Sequence, residues 1–338
     1  MLDTINVSIP MYIEPSERTI DWEADVSDKG TAFIYKLVTL PNGATIYIRY
    51  YFTHSLTLSF SASRIQNGDN AIAYSFDKSN IVKKTILKVI SDELGITNVK
   101  LSDFLVCRLD INRDFVCDNE KTANELAAFS NKILPLGYEK RFNYNTGLTS
   151  QTRKGRGFRV YRKDKDKKKR QDMNPTVRFE FQMDKKMVIN ILGYRPNLNE
   201  ILSRQVTIEK VWNNVLSIYA LDKRILNRRE LHKFSLQAKV LTPTEKETLK
   251  QMNDRPSFDD KEQRRWQLKV THKLKARGIC PYSCEVPIVL KVNVCTTILN
   301  LQRKKNRECT ICKQHLLSTI ITLRDTNKKV KKWYLDSS

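Results

Sequence analysis

Two neighbouring runs of alternating side chains decide the predicted fold: Gly157-Phe158-Arg159-Val160-Tyr161-Arg162-Lys163 and Thr176-Val177-Arg178-Phe179-Glu180-Phe181-Gln182-Met183. A period of two is typical of a β-strand with one apolar and one polar face. In the first run, the polar face carries Arg159, Tyr161 and Lys163. In the second, it carries Arg178, Glu180 and Gln182. Each run therefore predicts a half-buried strand.

A third run, from Phe104 to Ile111, places Arg108 and Asp110 opposite its apolar side chains. If the three strands share one sheet, its open face collects Tyr161, Asp110 and Glu180 together with several cations. The pattern thus predicts a site for phosphodiester transesterification.

The remaining elements predict an α+β domain over residues 1–195, with an antiparallel sheet and flanking helices. Before the three key strands we expect an edge strand (Ile5–Tyr12), a hairpin (Thr45–Phe52 with Leu56–Ser61) and a helix from Asn80 that stops at Gly95. A second helix, Glu120–Leu134, and a strand, Tyr138–Tyr144, complete the domain.

Residues 196–338 predict a second, mainly helical and basic domain. Its expected helices are Ile208–Tyr219, Asn227–Ala238, Thr244–Asn253, Asp260–Ala276 and one between Val286 and Asn306. The helix from Asp260 has a cationic surface, which is typical of either a solvated helix face or a DNA-contacting helix.

The charge is strongly uneven. The chain carries 60 Lys+Arg against 37 Asp+Glu, and its net charge of +23 divides into −2 for residues 1–150 and +25 for residues 151–338. An anionic polymer is the expected partner of the basic half, and nucleic acid is the leading candidate. The sequence has no apolar run of about 18 residues and no secretory signal, so we expect a cytoplasmic protein without a membrane partner.

The cations expected to contact DNA lie in four places: the strand that carries Tyr161, the basic run Arg153–Arg170 around it, the strand that carries Glu180, and the basic helix from Asp260. They are Lys154, Arg156, Arg159, Lys163, Lys167, Lys168, Lys169, Arg170, Arg178, Arg264 and Arg265. Phosphate contacts of this kind make binding steeply dependent on salt. The basic run is equally compatible with a solvated loop.

Four segments, in order, resemble the filamentous-phage gene II/X replication initiators, which are related to plasmid rolling-circle initiators. They are the block Leu58–Asn70, Arg108-Leu109-Asp110, Val160-Tyr161-Arg162-Lys163 and Val177-Arg178-Phe179-Glu180. The family's block contains Ser-Leu-Pro-Lys, often after a carboxylate, whereas this chain has Ser59 and Ala62 there. A third acidic ligand is therefore left unassigned.

The resemblance implies a rolling-circle nicking domain that cuts one strand at the replication origin. It implies that Tyr161 is the nucleophile, that Asp110 and Glu180 are metal ligands, and that the product is a phosphotyrosine with a free 3′ hydroxyl. Since such hard oxygen ligands favour Mg²⁺ or Mn²⁺ over zinc, one of these two ions is the expected cofactor. Origin DNA with an exposed single strand at the nick would be the substrate, and a host helicase and polymerase would be partners.

Several alternatives remain open. Tyr161 is also compatible with an ordinary strand tyrosine, Asp110 with a salt bridge to Arg108 or Arg113, and Glu180 with a cross-strand ion pair. Further ligands at Asp114, Asp164 and Asp166, and a second nucleophile at Tyr138 or Tyr144, are compatible with the sequence. A non-catalytic DNA-binding accessory protein, or an RNA-binding sheet, would use the same surface.

The seven cysteines do not form a disulfide pattern. Cys280 and Cys284 are followed by Cys309 and Cys312, a spacing that can bind zinc. Four reduced cysteines are the preferred interpretation, because neither pair lies in a Gly-rich knuckle.

Overall fold

The computed structural model describes residues 2–13, 21–28, 30–70, 72–134, 140–144, 147–151, 157–165, 174–256, 260–286 and 288–291. Within these residues the chain is α+β, with an antiparallel sheet and several helices, which confirms the predicted class. The strands are β1 (Leu2–Pro10), β2 (Glu23–Val26), β3 (Ala32–Thr39), β4 (Thr45–Tyr51), β5 (Ser55–Ser61), β6 (Leu105–Val116), β7 (Lys140–Tyr144), β8 (Gly147–Gln151), β9 (Gly157–Arg162) and β10 (Thr176–Asp184).

The helices agree with the sequence patterns to within a few residues in most cases. They are α1 (Ala62–Asn67), α2 (Ser79–Leu94), α3 (Glu120–Ser130), α4 (Lys185–Leu192), α5 (Leu198–Ser203), α6 (Gln205–Ile218), α7 (Arg228–Gln237), α8 (Pro243–Asp254) and α9 (Lys261–Lys275). Helix α2 ends as predicted, with Gly95 in the left-handed region at φ 70°. The helix expected between Val286 and Asn306 falls largely outside the described residues.

The chain forms two compact units, and both are discontinuous in sequence. Unit 1 takes the described residues of Met1–Asn112 and Glu180–Trp212, and unit 2 takes those of Arg113–Arg153, Gly157–Phe179 and Asn213–Ser338. Strands β6 and β10 contribute to both units. The expected boundary at residue 195 was placed where the sequence patterns become mainly helical, and it stays a prediction.

In unit 1 the strands lie in the order β2-β3-β4-β5-β1-β6, with β10 next to β6. Strands β1, β4 and β5 alternate between buried and half-buried residues. The buried face includes Ile5, Ile48 and Leu58, and α1 packs against β1 and α2. The predicted hairpin is confirmed, but β1 is not an edge strand, because it pairs with β5 on one side and β6 on the other.

Two irregularities interrupt the pairing of β1 with β6. Ile5 pairs with Leu109 and Leu2 with Ile111, so β1 uses one residue more than β6 over this interval. Between the pairs Asn6–Arg108 and Val7–Val106, the extra residue, Cys107, lies in β6. Such β-bulges change which face a side chain occupies. Cys107 therefore does not share a face with Leu109 and Ile111, contrary to the simple alternation.

Strand β10 is buried on both faces, so the expected open polar face is wrong here. Arg178, Glu180 and Gln182 are 1%, 5% and 1% exposed. The period of two correctly separates them from the apolar side, where Phe179 and Phe181 are also buried. Period alone does not reveal a second covering layer, because both faces of such a strand are removed from water.

In unit 2 the strand order is β10-β9-β8-β7, with the Arg113–Val116 end of β6 next to β10. Helix α3 packs on β8 and β9, and α8 packs on both α7 and α9. Strand β8 was missed by the sequence patterns. It pairs with β9, where Gly147 lies opposite Tyr161.

No helix among the residues that the structure describes is long and apolar enough to cross a membrane.

Gly147→Ala tests the close packing of β8 on β9. A β-carbon at Gly147 would lie 2.0 Å from the backbone oxygen of Val160, so the strands must shift. We expect a loss of about 3 kcal/mol in the free energy of unfolding, the upper part of the range for overpacking. The control is Gly43→Ala, because Gly43 also has a positive φ but has no atom within 4 Å. It should lose only about 1 kcal/mol from its backbone conformation, and equal losses from urea unfolding would contradict the contact.

Candidate active site

A salt bridge within β6 forms the centre of the candidate site in unit 1. Arg108 donates from Nε to Asp110 Oδ1 at 2.9 Å and from Nη2 to Asp110 Oδ2 at 2.7 Å. The Asp110 side chain is 2% exposed and that of Arg108 is 32% exposed. A two-point contact of this kind fixes the planes of both groups. The alternative of a salt bridge between Asp110 and Arg108 is thus what the structure contains.

Two further carboxylates act on the same guanidinium. The pKa of Arg108 is raised, and the largest cause is its hydrogen bond to Asp110. Burial lowers this pKa, but the charges of Asp110, Glu180 and Asp3 raise it further. Asp3 also accepts a hydrogen bond from Ser61 Oγ at 3.1 Å. Asp110 and Glu180 are far apart in the sequence, but both lie close enough to Arg108 for their charges to act on it. Their predicted role as metal ligands stays a prediction.

Asp3 is a member of this cluster that the sequence analysis missed. In a regular strand Asp3 would share the face of Ile5 and Val7, where a carboxylate would meet the apolar core. The irregularity between Leu2 and Ile5 changes this pairing. The isolated acidic residue in an otherwise apolar strand start was the only available signal, and it does not specify a partner.

The donor chemistry at this cluster suits a hard divalent metal. Gln182 is 1% exposed and lies near Glu180, and among the described residues its Oε1 has no hydrogen-bond partner. Carboxylate and amide oxygens are the ligand types that Mg²⁺ and Mn²⁺ prefer. In the described part of the chain, however, no group of three or more His, Cys, Asp or Glu is arranged to hold a metal ion. The cation that the structure pairs with Asp110 is Arg108.

Tyr161, the predicted nucleophile, lies on β9 in unit 2. Phe158 and Val160 are buried, whereas Arg159 and Tyr161 are half-buried, so the predicted two-faced strand is confirmed up to Arg162. Phe158 packs on Tyr219 with ring centroids 5.0 Å apart. Because Tyr161 belongs to unit 2 and the carboxylates to unit 1, their assembly into one site stays a prediction.

Lys163 does not continue the half-buried face of Tyr161. The strand ends at Arg162, and Lys163 begins a short 3₁₀ turn in which it is 1% exposed. It donates to Asp114, which also accepts from Arg178 Nε at 2.6 Å and from Arg178 Nη2 at 2.9 Å. Asp114 was considered as a metal ligand, but here both of its oxygens bind cations. The expected exposure of Lys163 and Arg178 is therefore wrong.

Arg162 anchors the same end of β9 in a second network. It donates to Asp164 Oδ1 at 2.9 Å and to Glu120 Oε2 at 2.7 Å. Asp164 also accepts from the backbone N–H of Thr176 at 3.0 Å. The two networks tie the residues that follow Tyr161 to α3, β6 and β10 within unit 2.

Both networks keep their aspartates ionised. Burial alone would raise the pKa of Asp114, but hydrogen bonds from Arg178 and the charge of Lys163 outweigh it and lower that pKa. For Asp164, burial is likewise outweighed by hydrogen bonds from Arg162 and Thr176, so its pKa is lowered. These carboxyls are therefore acceptors that orient cations.

The other expected DNA-binding cations divide into two groups. On α9, Arg264 is half-buried and Arg265 is exposed, while Lys273 donates to the buried Glu245 at 2.7 Å. Arg159 is half-buried on β9. The remaining cations fall outside the described residues: Lys154, Arg156, Lys167, Lys168, Lys169 and Arg170. Asp166 and Tyr138 also fall outside them.

Cys280 and Cys284 are free and buried. Burial raises the pKa of Cys280 to about 12 and that of Cys284 to about 11, so both are protonated at neutral pH. Cys309 and Cys312 lie outside the described residues. The zinc alternative thus remains untested.

Comparison with known proteins yields no match to a family model, to a curated protein or to a solved structure.

Asp114→Asn should disrupt the end of β9. The change leaves Lys163 and Arg178 buried without their shared counter-charge, so we expect a loss of about 3–5 kcal/mol in the free energy of unfolding. Lys165→Gln is the control, because it removes an exposed pair with Glu120 in which the side chains are 48% and 55% exposed. That pair should contribute less than about 1 kcal/mol. Similar urea midpoints for the two variants would show that the buried network is not stabilising.

Acid should destabilise the protein through Asp114 and Asp164. Their folded pKa values lie below the ordinary 3.8, so the unfolded chain binds protons first as the pH falls. Their contribution is fully present well above pH 3.8 and is lost as the pH falls through 3.8 and the folded values. Urea unfolding between pH 6 and pH 3 should show this loss, with a shallower slope in Asp114→Asn. Parallel pH profiles for the two proteins would contradict the lowered pKa of Asp114.

Proposed function

We propose that the protein is a rolling-circle DNA replication initiator of the phage and plasmid type. Its nicking domain would cut one strand at the origin and act as a site-specific endonuclease and strand transferase. The observation that carries the proposal is the buried Asp110 paired with Arg108, together with Glu180 and Asp3 close enough for their charges to raise the pKa of that guanidinium. Asp110 and Glu180 are the two acidic residues that the resemblance to gene II/X initiators selects. We also propose that the α+β arrangement belongs to the rolling-circle-initiator fold.

In the proposed reaction Tyr161 attacks the scissile phosphate. The phenolic oxygen forms a bond to phosphorus as the bond to the 3′ oxygen breaks, and that oxygen takes up a proton. The products are a 5′ phosphotyrosine and a 3′ hydroxyl that can prime a polymerase. Arg159 lies two residues away on the same strand face, where a positive charge favours the phenolate.

A bound Mg²⁺ or Mn²⁺ would polarise the scissile phosphate and offset charge on its non-bridging oxygens. We propose Asp110 and Glu180 as ligands, with Gln182 Oε1 as a neutral donor. Arg108 occupies both oxygens of Asp110 in the present structure. Binding at Asp110 therefore requires the guanidinium to release at least one of them.

The remaining parts of the proposal concern the setting of the reaction. The basic helical region, with Arg264 and Arg265 on α9, would bind the double-stranded origin, and the protein would act in the host cytoplasm. A host helicase and polymerase would use the opened strand and its 3′ hydroxyl. Phosphate contacts made by these arginines would raise affinity without selecting sequence.

The alternative is a non-catalytic DNA-binding accessory protein on the same scaffold. It is favoured by the pairing of Asp110 with Arg108, because a carboxylate already neutralised by a neighbouring guanidinium has less need of a metal. The two functions differ in whether Tyr161 reacts.

Tyr161→Phe distinguishes these functions. We expect the wild-type protein, with Mg²⁺ or Mn²⁺, to convert supercoiled DNA carrying its own origin to open circles and to form a covalent protein–DNA adduct. Tyr161→Phe should lose both activities by at least about a thousand-fold, because the attacking oxygen is absent. Tyr194→Phe is the control, because Tyr194 lies outside the proposed site. This residue is 45% exposed and its hydroxyl donates to Glu200, so the variant should nick normally.

EDTA should abolish nicking by the wild-type protein. Equal nicking by Tyr161→Phe would show that another residue is the nucleophile. If wild-type protein binds the origin but neither nicks it nor forms an adduct, the accessory function is correct.

A further inference from the structure

The unit 1 sheet has one face that is neither buried in the core nor covered like β10. On β1, β4 and β5 every second residue is half-buried, and the partners across the strands share this face. One row crosses five strands through the pairings Leu37–Tyr47, Tyr47–Ser59, Ser59–Asn6 and Asn6–Arg108. With neighbouring strands about 4.8 Å apart, the row is about 19 Å long. It ends at the guanidinium that binds Asp110.

One end of this face is an aromatic patch, formed by Phe33, Tyr35, Tyr47, Arg49 and Tyr51. The rings of Tyr35 and Tyr47 have centroids 5.3 Å apart, and those of Phe33 and Tyr51 are 5.1 Å apart. The guanidinium carbon of Arg49 lies 4.6 Å from the centroid of Tyr47. Arg49 Nη1 also donates to Tyr51 Oη at 3.4 Å. Phe33 is only 5% exposed, so the half-buried rings of Tyr35, Tyr47 and Tyr51 are those that this face offers around Arg49.

A polar stretch joins the aromatic patch to Arg108. Thr57, opposite Arg49, and Ser59, opposite Tyr47, carry hydroxyl groups on β5. Ser59 Oγ donates to Asn6 Oδ1 at 2.7 Å, and Asn6 pairs with Arg108. This stretch offers hydroxyl and amide groups to a sugar-phosphate backbone but has no bulky side chain that would block one.

The charges give this surface a direction. Glu23 and Asp25 pair with Tyr35 and Phe33 from β2, and Glu23 accepts a hydrogen bond from the Tyr35 hydroxyl. An anionic ligand is repelled at that edge and attracted by Arg49 and Arg108. Its favourable course therefore leads from Tyr47 and Tyr51 across β5 and β1 toward β6.

We propose that this face binds single-stranded DNA, with bases stacked on Tyr47 and Tyr51 and the backbone led along the polar stretch to the Arg108–Asp110 pair. Stacking on aromatic side chains beside cations is the general mode of binding single strands without sequence preference. A sheet face with half-exposed rings suits unstacked bases better than a duplex, whose bases are hidden. The inference rests on the proposed function for the origin of the strand, and it adds the surface that receives that strand.

The test measures binding of fluorescent ten-nucleotide oligothymidylate by anisotropy, with the full chain in EDTA. Tyr47→Leu should raise Kd by about five- to one-hundred-fold, the range measured for loss of one stacked base. Tyr47→Phe keeps the ring and should bind like wild type. Arg49→Gln should also weaken binding, and it provides an independent test should Tyr47→Leu not fold.

Matched controls lie elsewhere in unit 1. Tyr194→Leu removes an exposed tyrosine outside the face, and Lys88→Gln removes an exposed positive charge on α2. Both should bind the oligonucleotide within about two-fold of wild type. An abasic oligonucleotide of the same length should bind the wild-type protein more weakly than oligothymidylate does. It should bind Tyr47→Leu and the wild-type protein with equal affinity.

Wild-type affinity in Tyr47→Leu and Arg49→Gln would overturn the inference, as would equal losses in the two controls. Binding needs no cleavage, so the result is separate from the nicking assay. If the protein binds through the patch but never nicks, the binding surface is supported and the proposed function is contradicted. If it nicks through Tyr161 while both patch variants bind normally, the proposed function is supported and the binding surface is contradicted.

Discussion

The compensation of buried charge is the constraint on which β6 and β10 depend. These strands carry Asp110, Arg178 and Glu180 at buried positions and Asp114 at a half-buried one, where 19% of its side chain is exposed. An isolated buried charge is too costly to persist, so each must have partners of opposite sign. Arg108 meets Asp110 in unit 1, while Lys163 and Arg178 meet Asp114 in unit 2. The side-chain positions along both strands are fixed by these pairs.

This constraint also separates two kinds of acidic residue. Asp114 and Asp164 are fully engaged by buried cations and hold the end of β9 in place. The charges of Asp110, Glu180 and Asp3 all act on Arg108, so these carboxyls lie near one guanidinium. Carboxylates gathered in one place are also the ligands that a hard divalent metal prefers, which is the basis of the proposed metal.

The sequence revealed much of the local structure because periodicity and caps act over a few residues. The hairpin of β4 and β5, the stop of α2 at Gly95, and the two faces of β9 all follow from such short-range signals.

The role of Asp3 could not be predicted, because it depends on an irregular register between β1 and β6. The burial of Arg178 and Glu180 was also missed, since a polar face covered by other parts of the fold has the same pattern as one in water. Likewise, alternation gives Lys163 the face of Tyr161, but the chain leaves the strand one residue earlier. The aromatic patch required knowledge of which strands pair across the sheet.

The central claim is that Tyr161 becomes covalently attached to DNA. Its most direct measurement is mass spectrometry of the adduct formed with a single-stranded oligonucleotide containing the replicon's own origin, after digestion with nuclease and protease. The account predicts that the peptide containing Tyr161 carries a nucleotide 5′ phosphate on the phenolic oxygen. A modified peptide that contains a different residue, or cleavage of the oligonucleotide without any covalent adduct, would contradict it.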